Sequence, residues 1–89
     1  MKKPLNFAIL KHFTTVEEAC ATDVMKALQG QYGNFKAFTK DAVSEALLTA
    51  ETNGMLQETR YEMTEDGDLK VYYRAHAEGR DTINKYIPD

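Results

Sequence analysis

The chain predicts an α+β domain of three helices, a β-hairpin and a short C-terminal helix, and three observations predict it. Phe38–Leu56 carries helix signals at both ends. Residues 56–75 alternate apolar and polar side chains at strand spacing on either side of a Gly-containing turn. Shorter stretches of helical periodicity lie before and after these two. Eighty-nine residues supply one modest core, so residues 1–89 are read as a single domain.

The first helix is expected over about Pro4–Phe13, because proline suits the first helical position, where its missing N–H has no partner to lose. Leu5, Ile9 and Phe13 form one stripe, while Phe7 and Leu10 lie on another side, so this helix should be covered on two sides. Thr14–Cys20 allows two readings. Thr15 with Glu18 makes a capping box that starts the second helix early. Thr22 as the cap instead leaves residues 16–21 as a short extended link, and this later start is favoured because the chain must turn after Phe13. Val24, Ala27 and Leu28 supply the stripe, and Gly30–Gly33 ends the helix.

In the third helix Thr39 is the N-cap, its hydroxyl placed to accept a first-turn N–H. Phe38 and Val43 then occupy the positions of a hydrophobic staple. Val43, Ala46, Leu47 and Ala50 form the inward stripe, and Asn53-Gly54 stops the helix. On the wheel Asp41, Ser44, Glu45, Leu48, Thr49 and Thr52 point outward.

The hairpin register follows from requiring that like faces meet. A three-residue loop, Glu65-Asp66-Gly67, sets Met63 opposite Leu69, Tyr61 opposite Val71 and Thr59 opposite Tyr73. Glu62 then meets Lys70 and Glu58 meets Arg74, opposite charges each time. The tail forms a helix over about Ala77–Tyr86, stopped by Pro88, whose Ile83, Tyr86 and Ile87 pack back toward Phe7 and Leu10.

Composition narrows the function. The net charge is −3, with +2 in residues 1–37 and −5 in residues 38–89, so any phosphate-facing surface must be a local patch. Cys20, the only cysteine, has no internal disulfide partner and is read as filling a core gap. Lys11 and His12 interrupt the N-terminal apolar run and no cleavage site follows, so the expectation is a cytoplasmic protein without a signal peptide or membrane span. His12, His76 and Cys20 show no metal spacing, and no nucleophile set or phosphate loop is present; neither an enzyme nor a cofactor is expected. The Thr64–Asp68 turn lacks the ligand spacing of a calcium loop. Most of the Tyr and Phe sit at core periodicities, which argues against a stacking platform for single strands.

ACATDVMKAL (19–28), DAVSEALLTAETNGML (41–56) and YYRAHAEGRDTINKY (72–86), in the order helix, helix, helix, hairpin, resemble winged-helix regulators, PadR- and MarR-like proteins in particular. The last stretch is similar to the PadR-type exit from the wing, YY-R-x-T-x-x-G-R. His76 stands where that pattern has Thr, so the last helix is expected to lose its usual cap, and no long dimerisation helix fits before Asp89.

The resemblance implies a small transcriptional regulator that binds double-stranded DNA as a homodimer. Its third helix would place Thr39, Lys40, Ser44, Glu45 and Thr49 in the major groove, with Lys36, Lys70 and Arg74 on the backbone. Against it stand an outward helix face with two carboxylates and an acidic hairpin tip. The alternative is an acidic winged-helix module that binds a protein partner through the third helix and wing, with exposed Leu48 as the mark of such a surface.

Overall fold

The structure, a computed structural model, describes residues 3–88. Met1, Lys2 and Asp89, which the sequence reading counts within the domain, lie outside the described residues. The elements are α1 (Leu5–His12), α2 (Ala21–Tyr32), α3 (Lys40–Thr52), β1 (Gln57–Met63), β2 (Leu69–Arg74) and α4 (Ala77–Tyr86). Four helices and a two-stranded antiparallel hairpin in this order are compatible with a winged helix. No helix among the described residues is long and apolar enough to cross a membrane.

α3 forms as its sequence dictates. Thr39 Oγ1 accepts the Ala42 N–H at 3.1 Å, and Phe38 and Val43 are both buried in the core. Val43, Leu47 and Ala50 face inward, whereas Asp41, Ser44, Glu45, Leu48, Thr49 and Thr52 are exposed. Gly54 takes φ 80°, a left-handed conformation that glycine adopts without steric cost, and turns the chain into β1.

The first two helices begin elsewhere than expected. α1 starts at Leu5, with Pro4 one position before it and its carbonyl accepting the Ala8 N–H at 3.0 Å. Neither Thr15 nor Thr22 caps α2. Cys20 does, its thiol accepting the Asp23 N–H while Asp23 Oδ2 accepts the Cys20 N–H at 3.2 Å. The reason is tertiary: Ala19 exchanges two backbone bonds with Tyr73, at 3.0 and 2.9 Å. That bridge keeps the chain extended through Cys20, so helix can begin only at Ala21.

Ile9, Phe13, Val24, Tyr32, Val43, Leu47, Tyr73 and Ile83 make up much of the core between the helices and the inner end of β2. Ile87 joins them and Leu10 packs against them, so most of the surplus apolar surface of α1 and α4 is covered within the chain. Two expected members stay outside. Tyr86 is 71% exposed, one residue off the stripe that buries Ile83 and Ile87, and Phe7 remains 46% exposed. Only Phe13, Tyr32, Phe38 and Tyr73 among the aromatics are buried, fewer than their periodicity implied.

The hairpin keeps the expected register from Met63↔Leu69 through Arg60↔Tyr72 and then departs from it. Glu58 pairs with Tyr73 and Gln57 with Arg74, leaving Thr59 as a bulge. The cause is Glu18 on the α1–α2 link. Thr59 Oγ1 donates to its Oε2 at 2.8 Å and Arg60 Nε to its Oε1 at 3.0 Å. Consecutive residues of a regular strand face opposite ways, so both reach one carboxylate only across a bulge.

The loop is the expected one. Gly67 has φ 83° and its N–H donates to Thr64 O at 3.0 Å, while Thr64 N–H donates to Asp68 O at 2.8 Å. Gly67→Val should cost about 1–2 kcal/mol, since a β-branched residue resists positive φ. Asp68→Ala should cost less, because it removes only solvent-exposed interactions. Equal denaturation midpoints for the two variants would mean that the loop geometry is wrong.

α4 is capped after all. His76 Nδ1 accepts the Gly79 N–H at 3.2 Å, the role a threonine hydroxyl fills in the resembling pattern. Gly79 is buried where α4 meets the α3–β1 corner: a Cβ there would stand 2.5 Å from Met55 O. Arg80 donates to the carbonyls of Ala75 (Nε, 2.9 Å), Val16 (Nη2, 2.9 Å) and Thr14 (Nη1, 3.4 Å), fastening α4 to the α1–α2 link.

Candidate functional site

The outward face of α3 and the tip of the hairpin lie beside each other, joined by one ion pair. Lys40 Nζ stands 2.5 Å from Asp68 Oδ2. The Asp68 hydrogen bond raises Lys40 above the usual lysine range, and the ammonium in turn lowers Asp68 below the usual carboxylate range. Leu69 N–H also donates to Asp68 Oδ1 at 3.0 Å. The Thr64 hydroxyl donates to Asp66, which holds that carboxyl low as well. The tip is therefore an ordered set of ionised carboxylates at neutral pH, and the cation that opens α3 is engaged with one of them.

Most of the eight residues expected to contact DNA line several different clefts. Lys40, Ser44 and Lys70 line a cleft of about 190 Å³ between α3 and β2, with Leu47, Leu69, Val71 and Tyr73 as its apolar walls. Glu45 and Thr49 line a different groove, of about 290 Å³, between α3 and α1, floored by Ile9, Leu10, Ala46 and Met55. Thr39 is occupied as the cap of α3, and Lys36 is exposed in the preceding turn. Arg74 lies at the base of the hairpin in a cleft with Glu17, Ala77 and Arg80. Lys36, Lys70 and Arg74 hold no ion pair among the described residues.

Arg60 is committed within the chain. Its guanidinium lies 3.9 Å from the Tyr72 ring centroid and pairs with Glu18 at 2.9 Å and Glu62 at 3.2 Å. A hydrogen bond to Glu62 pushes the Tyr72 hydroxyl up to about 12. These contacts join the hairpin to the link before α2.

Exposed apolar groups accompany the acidic ones, and sequence reasoning found only one of them. Leu48 is 55% exposed on α3 as the wheel implied. On one face of the hairpin Tyr61, Met63 and Leu69 are 67%, 64% and 50% exposed. Alternation identifies that face, but a sequence does not tell whether the body reaches far enough to cover it. Single exposed apolar residues are ordinary, whereas several on one sheet face mark a surface that gains by being covered.

His12 lies apart, half-buried in a groove of about 600 Å³ between α1 and α2 with Lys3, Lys11 and Tyr32, and burial draws its ring below the usual histidine range. Lys11 donates to Asn84 Oδ1 and Ile87 O, both at 2.7 Å, and so serves to hold the end of α4. Among the described residues no group of three or more His, Cys, Asp or Glu is placed to hold a metal ion. Neither family models nor curated protein sequences match this chain.

Proposed function

We propose that the chain is a small winged-helix module that binds another protein through α3 and the wing, rather than duplex DNA. The observation that carries this reading is the pairing of Lys40 with Asp68 on a surface that carries Asp41, Glu45, Glu65 and Asp66 beside a single unpaired cation among the described residues, Lys70. DNA affinity rests on cations that neutralise phosphates, and carboxylates brought near phosphates oppose it unless cations compensate. Here Lys40, the cation at the start of α3, is already paired with Asp68. Leu48 and Leu69 add apolar anchors of the kind that a protein partner buries.

The second reading, a DNA-binding transcriptional regulator, draws support from Ser44 and Thr49 on the outward face and from Lys36, Lys70 and Arg74, whose charges remain available. A shift assay at low salt on mixed genomic duplexes decides between the two. The interaction module gives no retarded band, and its complex recovered from cells is lost in Leu48→Asp. A retarded band abolished by Lys36→Glu with Lys40→Glu and strengthened by Glu45→Gln would establish the DNA reading. In that case each phosphate contact removed flattens the dependence of log affinity on log salt by roughly one unit.

A further inference from the structure

One edge of β1 is unpaired. The sheet has two strands, so among the described residues β1 meets β2 on one side and nothing on the other, and every residue of β1 is exposed. Thr64 directs its N–H toward β2, where it bonds Asp68 O. Antiparallel strands alternate the direction of their backbone groups, so Glu62 and Arg60 also turn toward β2 while Tyr61 and Met63 direct theirs to the open edge. The bulge at Thr59 ends this regular stretch.

We propose that the occupant of this edge is a second copy of the chain, its β1 pairing antiparallel across a two-fold axis through Tyr61. That register makes Tyr61 a hydrogen-bonded pair with its own symmetry mate. It sets Arg60, which also holds Glu18 and Glu62 of its own chain, opposite Glu62 of the second copy, so that opposite charges face across the edge. The neighbouring registers fail on charge: an axis through Glu62 sets that carboxylate against itself, and one through Arg60 sets Arg60 against itself and Glu58 against Glu62. An axis through Met63 places Tyr61 against Glu65. The two hairpins then form one four-stranded sheet, and the exposed apolar faces bearing Tyr61, Met63 and Leu69 become continuous across it. The short regular stretch makes this a weak, concentration-dependent dimer. Its contacts are made by the β1 edge and not by the outward residues of α3, such as Leu48, in the partner surface proposed above.

Sedimentation of the full chain over micromolar to millimolar concentrations tests it. The wild type should pass from monomer to dimer. Tyr61→Pro deletes an N–H that the bond to β2 does not use, and Tyr61→Lys sets like charges on the axis; each should raise the dissociation constant ~10-fold or more. Glu62→Arg, which faces Arg60 with a second cation, should weaken the dimer likewise. Leu48→Asp should leave it intact, so failure of the α3 surface and failure of the β1 edge are separately visible. Far-UV circular dichroism reports whether each variant is folded, and if Tyr61→Pro is not, Tyr61→Lys decides. A wild type that stays monomeric at millimolar concentration, or a dimer indifferent to Tyr61→Lys and Glu62→Arg, overturns the proposal.

Discussion

Gly79→Ala should lower stability by about 2 kcal/mol, while the same exchange at Gly30 should raise it by about 0.5–1 kcal/mol. Both glycines lie inside helices, and intrinsic propensity favours alanine at each. What differs is the space beside them. A Cβ at Gly30 meets nothing within 4 Å, whereas at Gly79 it would lie 2.5 Å from the backbone carbonyl oxygen of Met55. A carbonyl in a turn does not swing aside as a side chain does, so α4 must move off the α3–β1 corner and loosen Ile83. Urea unfolding of the two variants measures the effects. Equal signs would show that propensity, rather than the close approach, governs Gly79.

Arg80→Ala should cost about 2–4 kcal/mol, the larger of the two losses. It removes charge-assisted hydrogen bonds to three carbonyls and leaves Ala75, Val16 and Thr14 without that donor. Arg80→Lys should recover less than half of the deficit, since a single ammonium cannot span acceptors that a planar fork reaches together. Denaturant unfolding at constant m-value is the measurement. A loss below about 0.5 kcal/mol would mean that water replaces the guanidinium at no cost. Gly79 and Arg80 thus have complementary structural roles: one permits α4 to approach, the other fastens it.

What was legible in the sequence is what neighbouring residues decide among themselves. Thr39 caps α3 because its own hydroxyl reaches the N–H three residues on, and Gly67 takes the left-handed position because the loop length demands it. The outward residues of α3 were likewise readable from its period. The failures trace to partners distant in the chain. The bulge at Thr59 accommodates Glu18, 41 residues earlier, and the bridge of Ala19 to Tyr73 accompanies a start of α2 at Ala21, between the Thr15 and Thr22 starts that the sequence allowed. The pairing of Lys40 was not readable in the same way, because its partner, Asp68, lies 28 residues away. His76 was misread for a different reason: capping rules are written for short oxygen-bearing side chains, and an imidazole nitrogen can accept the same N–H. Arg74 sits at the hairpin base beside Glu17, Ala77 and Arg80, a placement set by tertiary packing and not by strand alternation.

The hairpin divides the molecule into parts of unequal permanence. Its inner end is anchored by buried Tyr73 and the two backbone bonds to Ala19. Beyond that and the half-buried Val71, its attachments are ionic or hydroxyl contacts at the surface, from Glu18 to Thr59 and Arg60 and from Lys40 to Asp68. Contacts of that kind let go without disturbing a buried core, so the outer hairpin can open and reclose as a local unit while α1, α2 and α3 stay assembled. The open form retains the Ala19–Tyr73 bridge as its hinge. A surface composed jointly of α3 and the hairpin tip thus exists only during the closed fraction of the molecule's time, and whatever occupies it stabilises that closed form by mass action.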